Sequence, residues 1–355
     1  MPRRLNIFLI ILLLFLGAFV LATPQLVEAG ACRASRGVTD VCHLPPPMPT
    51  FSEPELPAQS FLDDVGYGWI NDYAYFYAEP KRGADHVRTA LTGFFYGPVE
   101  AEATDDEGRQ WYKVWNYWLP ARSFHPVEHS QFIGVRVNNQ PEHAFGWVTR
   151  PFAPRTEPGP QAGQEMPLVE RYDFVEVMDS TVGSDGAMWV RITDAEDGRQ
   201  RWLRYHTLSL VRVRQRPEPV GENEYWVDVD LTQQIFAAYE GDRMVYAGLI
   251  ASGLPRWPTR VGLGQVWARF EKTKMSGGVV GDDYYYLEDV PHTMYYDGEI
   301  ALHGAYWHDD FGRQKSHGCV NMAPRDAEWV FNWSEDAPND LWVWSHHSRH
   351  GEFLK

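Results

Sequence analysis

Short aromatic runs separated by turn residues are the feature that most restricts how this chain can fold. Between residues 60 and 150 the runs lie at 73–77, 94–96, 111–118 and 145–148, with Gly, Pro and Asp-rich turn signals between them. Aromatic and β-branched runs bounded by such residues are typical of strands joined by tight turns. Similar short runs separated by turn residues recur over residues 165–213. The pattern therefore predicts a mainly β protein.

Proline-rich segments divide the chain into units. Proline fixes φ and removes a backbone donor, so the prolines of residues 43–59 predict an extended spacer. A length of 355 residues fits two or three folded domains. The units that result are a signal peptide or membrane anchor at 1–31, a Pro-rich linker at 32–60, a small β-barrel-like module at 61–152, a second such module at 165–215 and a C-terminal domain at 222–345.

The first residues of the chain have the organisation of an export signal. Arg3 and Arg4 precede an uncharged apolar run at 7–22, and small residues at 29–31 offer a cleavage site before Cys32. The apolar run is slightly long for a cleaved signal and short for a spanning helix, which needs about 20 residues. Cleavage, a retained anchor and a lipid on Cys32 stay open, and a buried core helix is the other alternative. Export predicts an extracytoplasmic location, in the cell wall or periplasm.

Charge and cysteine content exclude several classes of protein. The 48 acidic and 32 basic residues give a net charge of -16, whereas a duplex-binding protein needs a cationic surface, so nucleic acid is not an expected partner. Three cysteines are too few for a disulfide-dense scaffold or a four-cysteine zinc site. If Cys32 and Cys42 close a small disulfide loop outside the cytoplasm, Cys319 is the unpaired thiol.

The C-terminal domain has the clearest strand pattern. Residues 226–230 alternate strictly between apolar and polar, as a half-buried strand does. Further strands are predicted at 233–239 and 244–251, on either side of a turn at 240–242, and they indicate a β sandwich or a β-rich fold. A short helix is predicted from Pro324, because proline suits the first position of a helix.

Residues 303–321 carry the candidate chemistry. Cys319 lies two residues after His317, with His303 and His308 further upstream, and a nearby imidazole or imidazolium lowers the pKa of a thiol. Two successive amides at Gly318 and Cys319 are suited to bind a developing oxyanion. A nucleophile, a base and an anion-binding site are thus all available.

Three alternatives compete with this interpretation. The first is that Cys319 packs as an inert buried thiol, because free cysteine behaves as a small hydrophobe. The second is that the histidines are ordinary surface residues. The third alternative is a zinc site made from His303, His308, His317, Asp309 and Asp310. Because no zinc-hydrolase spacing such as H-E-x-x-H is present, no metal is predicted.

The segment Ser316-His317-Gly318-Cys319-Val320-Asn321, preceded by His303-Gly304, resembles the signature of the L,D-transpeptidase catalytic domain family. These are cysteine-dependent enzymes that cross-link peptidoglycan. The segments at 252–253 and 257–262 continue the resemblance, which covers roughly residues 222–345. It implies a C-terminal L,D-transpeptidase-type β sandwich with a short helix. The two upstream modules resemble Src-homology-3-like β modules in composition and rhythm; their aromatic residues are expected to fill small cores, with a peptide-binding groove as the alternative for a few.

The resemblance implies a role for each residue of the segment. Cys319 becomes the nucleophile and His303 the general base, while His317 and Gly318 line the nucleophile and help to shape the oxyanion hole. Gly304 stands where many members have Ser or Thr, so a backbone carbonyl is expected to orient the imidazole. The candidate substrate-binding residues are Tyr306, Ser316 and Asn321, of which the last two also brace the loop.

The implied reaction is peptidoglycan cross-linking through a Cys319 thioester with a tetrapeptide stem, in the service of cell-wall biogenesis and cell shape. It requires no metal and no other cofactor. Stem peptides are the expected partners, with membrane anchoring by the N-terminal segment as a further expectation. The alternatives are L,D-carboxypeptidase activity, attachment of a protein to peptidoglycan at the same site, and a non-catalytic wall-binding module.

Overall fold

The structure, a computed structural model, describes residues 50–55, 61–193 and 200–349. The predicted signal peptide or anchor at 1–31, the Cys32–Cys42 pair and most of the Pro-rich linker at 32–60 lie outside these residues. In the part of the chain that is described, no helix has both the length and the apolar character needed to cross a membrane.

The described residues are mainly β, as the sequence predicts. The strands before residue 215 are β1 (Phe51–Ser52), β2 (Tyr67–Ile70), β3 (Tyr75–Tyr77), β4 (His86–Thr89), β5 (Phe94–Pro98), β6 (Ala101–Thr104), β7 (Gln110–Val114), β8 (Tyr117–Pro120), β9 (Phe124–Val127), β10 (Val135–Val137), β11 (Phe145–Val148), β12 (Phe174–Val182), β13 (Met188–Thr193), β14 (Gln200–Arg204) and β15 (Leu208–Val211). The later strands are β16 (Tyr225–Asp230), β17 (Ile235–Glu240), β18 (Arg243–Ala251), β19 (Gly262–Gln265), β20 (Ala268–Gly277), β21 (Tyr285–Asp297), β22 (Ile300–Gly304), β23 (Val320–Met322) and β24 (Trp342–His346). The α-helices are α1 (Phe61–Asp64) and α2 (Pro324–Trp333), and single turns of 3-10 helix lie at Ala121–Ser123, Tyr205–Thr207 and Ser334–Asp336.

The first upstream module forms one five-stranded sheet of its own, in the order β4-β3-β8-β7-β6. Its strands β2, β5 and β9 join a second, larger sheet instead. The two groups of strands share a core that contains Ile70, Phe76, Val114, Leu119 and Phe124. The two aromatic residues of this group, Phe76 and Phe124, are buried in the module's interior, as is Trp111 in β7. This agrees with the role that the sequence assigns to most of the module's aromatic residues.

The second module is a five-stranded sheet in the order β14-β13-β12-β11-β15. Strand β11 lies within the predicted bounds of the first module, 61–152. Both edges of β11 nevertheless pair within the second module, with β12 and with β15. The proline-containing segment that follows β11 also belongs to this module, because Phe152 bridges to Val169 and Arg155 to Trp202. Proline thus marks a connection within the second module here, and the boundary falls before residue 145.

The C-terminal domain is built on strands in the order β19-β24-β16-β17-β18-β23-β22-β21, and β21 continues directly into β5-β2-β9 of the first module. Buried side chains of β16 to β18, β21 to β24 and α2 form one core. Helix α2 begins at Pro324, as predicted, and buries Ala327, Val330 and Phe331 against that core. The sheet therefore links the predicted catalytic unit to an upstream module through the hydrogen bonds of a strand pair.

Strand β16 is more deeply buried than its alternating sequence suggests. Asp228 and Asp230 alternate with apolar residues, yet both side chains are buried. Arg214 lies 3.2 Å from Asp230, and His346 lies 2.6 Å from Asp228. The polar face of β16 is thus covered, and its two carboxylates are paired with an arginine and a histidine, which the prediction of a half-buried strand did not anticipate.

Candidate active site

Two parallel strands bring the predicted base and nucleophile to one place. His303 lies near the end of β22, and Cys319 lies immediately before β23. The two strands pair in parallel with Leu302 opposite Val320 and His303 opposite Asn321. This register places Cys319 two positions along the strand pair from the partner of His303, although the two residues are sixteen positions apart in the chain. His303 and Cys319 both line a cavity of about 560 Å³.

The wall of this cavity is largely aromatic and apolar, with charged side chains among its lining residues. The apolar part includes Phe94, Tyr96, Trp257, Met275, Tyr285 and Trp307. The charged part includes Arg256, Asp282, Asp283 and Lys315. A concave apolar site with a few polar groups is the usual form of a small-ligand site.

The imidazole of His303 is held by the backbone. Its ring is buried, with 2% of its surface exposed, and Nδ1 lies 3.0 Å from the carbonyl oxygen of Gly304. A carbonyl oxygen only accepts, so Nδ1 carries the proton and Nε2 keeps a lone pair. Burial lowers the pKa of His303 to about 4, outweighing the contact with Gly304. The ring is therefore neutral near pH 7 and able to accept a proton at Nε2.

Position 304 leaves no room for a side chain that could replace this backbone contact. A Cβ at position 304 would lie 2.7 Å from Cγ of Pro291 and 3.3 Å from Cα of Pro324. The space that a Ser or Thr side chain needs is thus occupied in this chain. The expectation that a carbonyl orients the His303 ring agrees with the structure.

The thiol of Cys319 lies in an apolar environment. It packs against a cluster that contains Met275, Leu287 and Val290, and its Sγ donates to the carbonyl of Glu299 at 3.6 Å. Burial raises the pKa of Cys319 to about 11. A nearby histidine is expected to lower that pKa, but desolvation prevails because burial also keeps His303 neutral. At neutral pH the Cys319 side chain is therefore a thiol.

The loop before Cys319 is braced by hydroxyl groups. Ser316 Oγ accepts from the Gly318 amide at 3.1 Å and donates to the carbonyl of Cys319. Thr259 Oγ1 donates to the carbonyl of Gly318 at 2.8 Å and accepts from the Gly253 amide at 2.9 Å. Ser316 therefore acts as the predicted loop brace. The Gly318 amide, expected to face an oxyanion, is instead bonded within the loop.

Two further predicted residues, His317 and Asn321, line this cavity together with His308. The His317 ring packs on Trp257 at 4.0 Å between centroids and on Tyr285 at 5.1 Å, and burial lowers the pKa of His317. Asn321 lies 2.8 Å from Nε2 of His308, so its amide braces a histidine that lines the cavity. His317 and Asn321 are thus placed as lining and bracing residues.

Tyr306 is not among the residues that line the cavity of His303 and Cys319. Only 1% of its surface is exposed, and its hydroxyl donates to the carbonyl of Glu288 at 2.6 Å. Its ring packs on Tyr67 of the first module at 4.3 Å between centroids. The Tyr306 side chain joins two parts of the fold, and substrate binding by Tyr306 stays a prediction that these contacts do not support. Its neighbour Trp307 lines the cavity instead.

Some lining residues were absent from the sequence prediction. Phe94 and Tyr96 belong to a run that the sequence identifies only as a strand, and nothing local indicates that it reaches the cavity. Trp257 lies in the 257–262 segment that carries the family resemblance, so its position offered a signal. In the described ranges, no group of three or more His, Cys, Asp or Glu side chains is arranged to hold a metal ion.

Comparison with known proteins identifies the C-terminal domain. The YkuD family model, described as the L,D-transpeptidase catalytic domain, matches residues 224–340. No curated protein matches the chain. Because the matched residues contain His303 and the whole 316–321 segment, the family assignment covers the site described above.

Several solved structures are also similar to the chain. An L,D-transpeptidase from Stackebrandtia nassauensis is 20% identical, with 37% of this chain and 60% of that chain covered and a TM-score of 0.29. An L,D-transpeptidase from Mycobacterium smegmatis is 16% identical, with 48% of this chain and 99% of that chain covered and a TM-score of 0.33. The catalytic domain of the E. faecium L,D-transpeptidase is 24% identical, with 35% of this chain and 98% of that chain covered and a TM-score of 0.31. The chain thus spans less than two thirds of the Stackebrandtia structure, and the finding that bears on the site is the family model: residues 224–340 match the L,D-transpeptidase catalytic domain of the YkuD family.

Proposed function

We propose that this protein is an L,D-transpeptidase that cross-links peptidoglycan through a thioester on Cys319. The observation that carries the proposal is the placement of the half-buried Cys319 thiol, immediately before β23, and of the neutral His303 imidazole, on the parallel neighbour β22, at one cavity. Both residues lie within the part of the chain that matches the family. The substrate is the tetrapeptide stem of peptidoglycan.

In the first half of the reaction, Nε2 of His303 accepts the thiol proton as Sγ of Cys319 attacks a carbonyl of the donor stem. The attacked carbonyl belongs to the diamino acid at position three. The tetrahedral intermediate collapses, the bond to the terminal D-alanine breaks, and His303 returns the proton to the departing amine. The product is a thioester on Cys319 and free D-alanine.

In the second half, the side-chain amine of another stem attacks the thioester carbonyl. The C–S bond breaks as the new amide bond forms, and the proton lost by the amine returns to Sγ through His303. The result is a three-to-three cross-link. Water in place of the amine gives the same enzyme L,D-carboxypeptidase activity, and an amine on a protein gives attachment of that protein to the wall.

The protonation states decide how the first half begins. The pKa of Cys319 is about 11 and that of His303 is about 4, so the ion pair is strongly disfavoured before substrate binds. Proton transfer therefore accompanies the attack on the carbonyl and does not precede it. The Nδ1–Gly304 contact supports this transfer, because it leaves Nε2 as the ring nitrogen with a free lone pair.

The proposed site of action lies outside the cytoplasm, where peptidoglycan is located. The charged and apolar sequence at the start of the chain supports export. Peptidoglycan stems are thus the proposed partners, and the N-terminal segment is proposed to serve either as a cleaved signal or as an anchor.

The decisive experiment uses the full chain and purified tetrapeptide stems. We expect release of D-alanine, a thioester mass increase on Cys319, and cross-linked dimers as the product. A carbapenem, whose lactam carbonyl mimics that of the stem, is expected to acylate the same sulfur. Cys319→Ala removes both signals, whereas an exposed control such as Asp106→Asn retains them. Unchanged D-alanine release by Cys319→Ala would falsify the proposal, and free tripeptide in place of dimers would assign carboxypeptidase activity instead.

A further inference from the structure

The cavity that contains Cys319 is not built by the YkuD domain alone. Phe94 and Tyr96 of the first upstream module line it as well. We propose that these two residues form a specificity wall that binds the amino-terminal half of the donor stem. This inference rests on the proposed function, since it names how that same site recognises its donor.

The wall is a continuous piece of β-sheet. Strand β5 pairs in parallel with β21, with Phe94 opposite Tyr285 and Tyr96 opposite Leu287. Alternate residues of a strand share a face, and all four of these side chains line the cavity. Phe95, the residue between them, points into the core of its own module. Two cross-strand pairs therefore make one face of the site. In each pair, one residue comes from the first module and the other from β21.

A glycine permits the close approach of the two strands. Gly93 has a φ of +152°, and a Cβ there would lie 2.4 Å from the carbonyl oxygen of Tyr284. That carbonyl accepts a hydrogen bond of 2.9 Å from the Phe94 amide. The first module is also held by Tyr67, whose hydroxyl donates to Asp289 at 3.1 Å. The wall is thus fixed relative to the strand that precedes the site.

The exposure of Phe94 leaves apolar surface for a ligand to cover. Its side chain is 54% exposed although it is aromatic, whereas Met275 at the same cavity is 8% exposed. Phe94 therefore lies at the mouth of the cavity and Met275 at its floor. Covering an apolar ring releases water and stabilises a complex.

The length of the wall indicates which part of the donor meets it. Residues 94 and 96 are two positions apart in a strand, a rise of roughly 7 Å at the usual spacing. On the leaving side of the attacked carbonyl the donor has a single D-alanine, while the other side carries the rest of the stem. The longer, amino-terminal side matches a wall of two residue pairs.

The test measures binding without turnover, in the full chain carrying Cys319→Ala. The ligands are the tetrapeptide stem and the dipeptide formed by its last two residues, and the method is titration calorimetry. We expect Phe94→Ala to weaken tetrapeptide binding about tenfold, as loss of part of a buried aromatic contact predicts, with dipeptide binding unchanged. Phe94→Leu is expected to restore most of the affinity, because it retains apolar area.

Tyr75→Ala is the matched control, because Tyr75 is 53% exposed on the same module and does not line the cavity. Equal tetrapeptide affinity for Phe94→Ala and this control overturns the specificity wall. An equal loss for tetrapeptide and dipeptide overturns its assignment to the amino-terminal half. Absence of any tetrapeptide binding in the Cys319→Ala chain counts instead against the proposed function, so the two failures are distinguishable. In the active chain, the wall predicts a rise in KM with little change in kcat.

Discussion

The hydroxyl of Tyr172, in the second upstream module, donates a hydrogen bond of 2.8 Å to the carboxylate of Asp309. Asp309 lies on the loop that connects His303 to Cys319. Arg171 pairs with the same carboxylate at 3.4 Å, and Ser130 donates to it as well. Residues far upstream of the YkuD domain therefore hold the loop that joins the proposed base to the proposed nucleophile.

The first prediction follows from this contact. Tyr172→Phe removes only the hydroxyl, so we expect a loss of about 1 kcal/mol in the free energy of unfolding. Hydrogen exchange of the amides at 305–315 is expected to become faster, and kcat to fall severalfold. Tyr75→Phe in the first module serves as the control. Unchanged exchange of the loop amides would show that Tyr172 does not restrain it.

The second prediction concerns the pH dependence of the reaction. The proposed base works when neutral, and the pKa of His303 is about 4 because the ring is buried. We expect kcat/KM to stay high as pH falls from 7 to 5 and to decline only near pH 4. Alkylation of Cys319 by iodoacetamide is expected to keep accelerating up to about pH 10, because the thiol pKa is about 11. An acid limb near pH 6.5, or a plateau in alkylation near neutral pH, would contradict these protonation states.

The third prediction concerns Gly304. Gly304→Ser adds atoms where Cγ of Pro291 would be 2.7 Å away, so we expect a destabilisation of about 1–3 kcal/mol and a lower kcat. Thermal unfolding and the D-alanine assay measure the two effects. Gly66→Ala is the control, because its nearest neighbour would be an ordinary contact at 3.7 Å from Val99. Adding Pro291→Ala to Gly304→Ser is expected to recover stability; a purely additive double variant would contradict the steric explanation.

The fourth prediction concerns the stability of the fold. Asp326, buried in α2, accepts hydrogen bonds from the Gly134 amide at 2.8 Å and the Tyr246 hydroxyl at 2.7 Å. Burial raises its pKa from 3.8 to about 7, despite these bonds. The folded state thus favours the protonated acid, so this stabilisation is complete below pH 3.8 and is lost as pH rises to about 7.

Asp326→Asn removes that titration. We expect the difference in melting temperature, wild type minus variant, to fall as pH rises from 4 to 7 and to level off above it. Buried His303 and His308 titrate in the opposite direction, and subtracting the variant cancels their contribution. Asp106→Asn, on the exposed surface, is the control for loss of one carboxylate. A difference for Asp326→Asn that increases with pH would refute the assignment.

The sequence is sufficient for the local parts of the site. The resemblance carried by His303-Gly304 and the 316–321 segment predicts the base and the nucleophile, and the structure places His303 and Cys319 at one cavity, as that prediction requires. Pro324 at the start of α2 is likewise a local signal. The orientation of the His303 ring by a carbonyl is expected from the resemblance, because Gly304 stands where many family members have Ser or Thr.

The remaining features depend on contacts between distant segments. Asp228 in β16 looks solvent-facing in an alternating sequence, but His346 pairs with it in the structure. Tyr306 looks like a loop residue available to a substrate until Tyr67 is found packed on it. The environment of Cys319 is of the same kind, since a nearby histidine suggests a low thiol pKa and only the surrounding core reveals a high one. None of these contacts has a periodicity or a spacing from which to infer it.

The pairing of β5 with β21 has a consequence for handling the protein. Residues 285–287 of β21 pair with β20 on one side and with β5 on the other. A fragment that starts at residue 222 lacks β5 and so leaves a row of backbone amides and carbonyls open along that side. Open strand edges recruit other chains into intermolecular sheets. The first module thus also protects the enzyme from self-association, and the excised catalytic domain is expected to form aggregates.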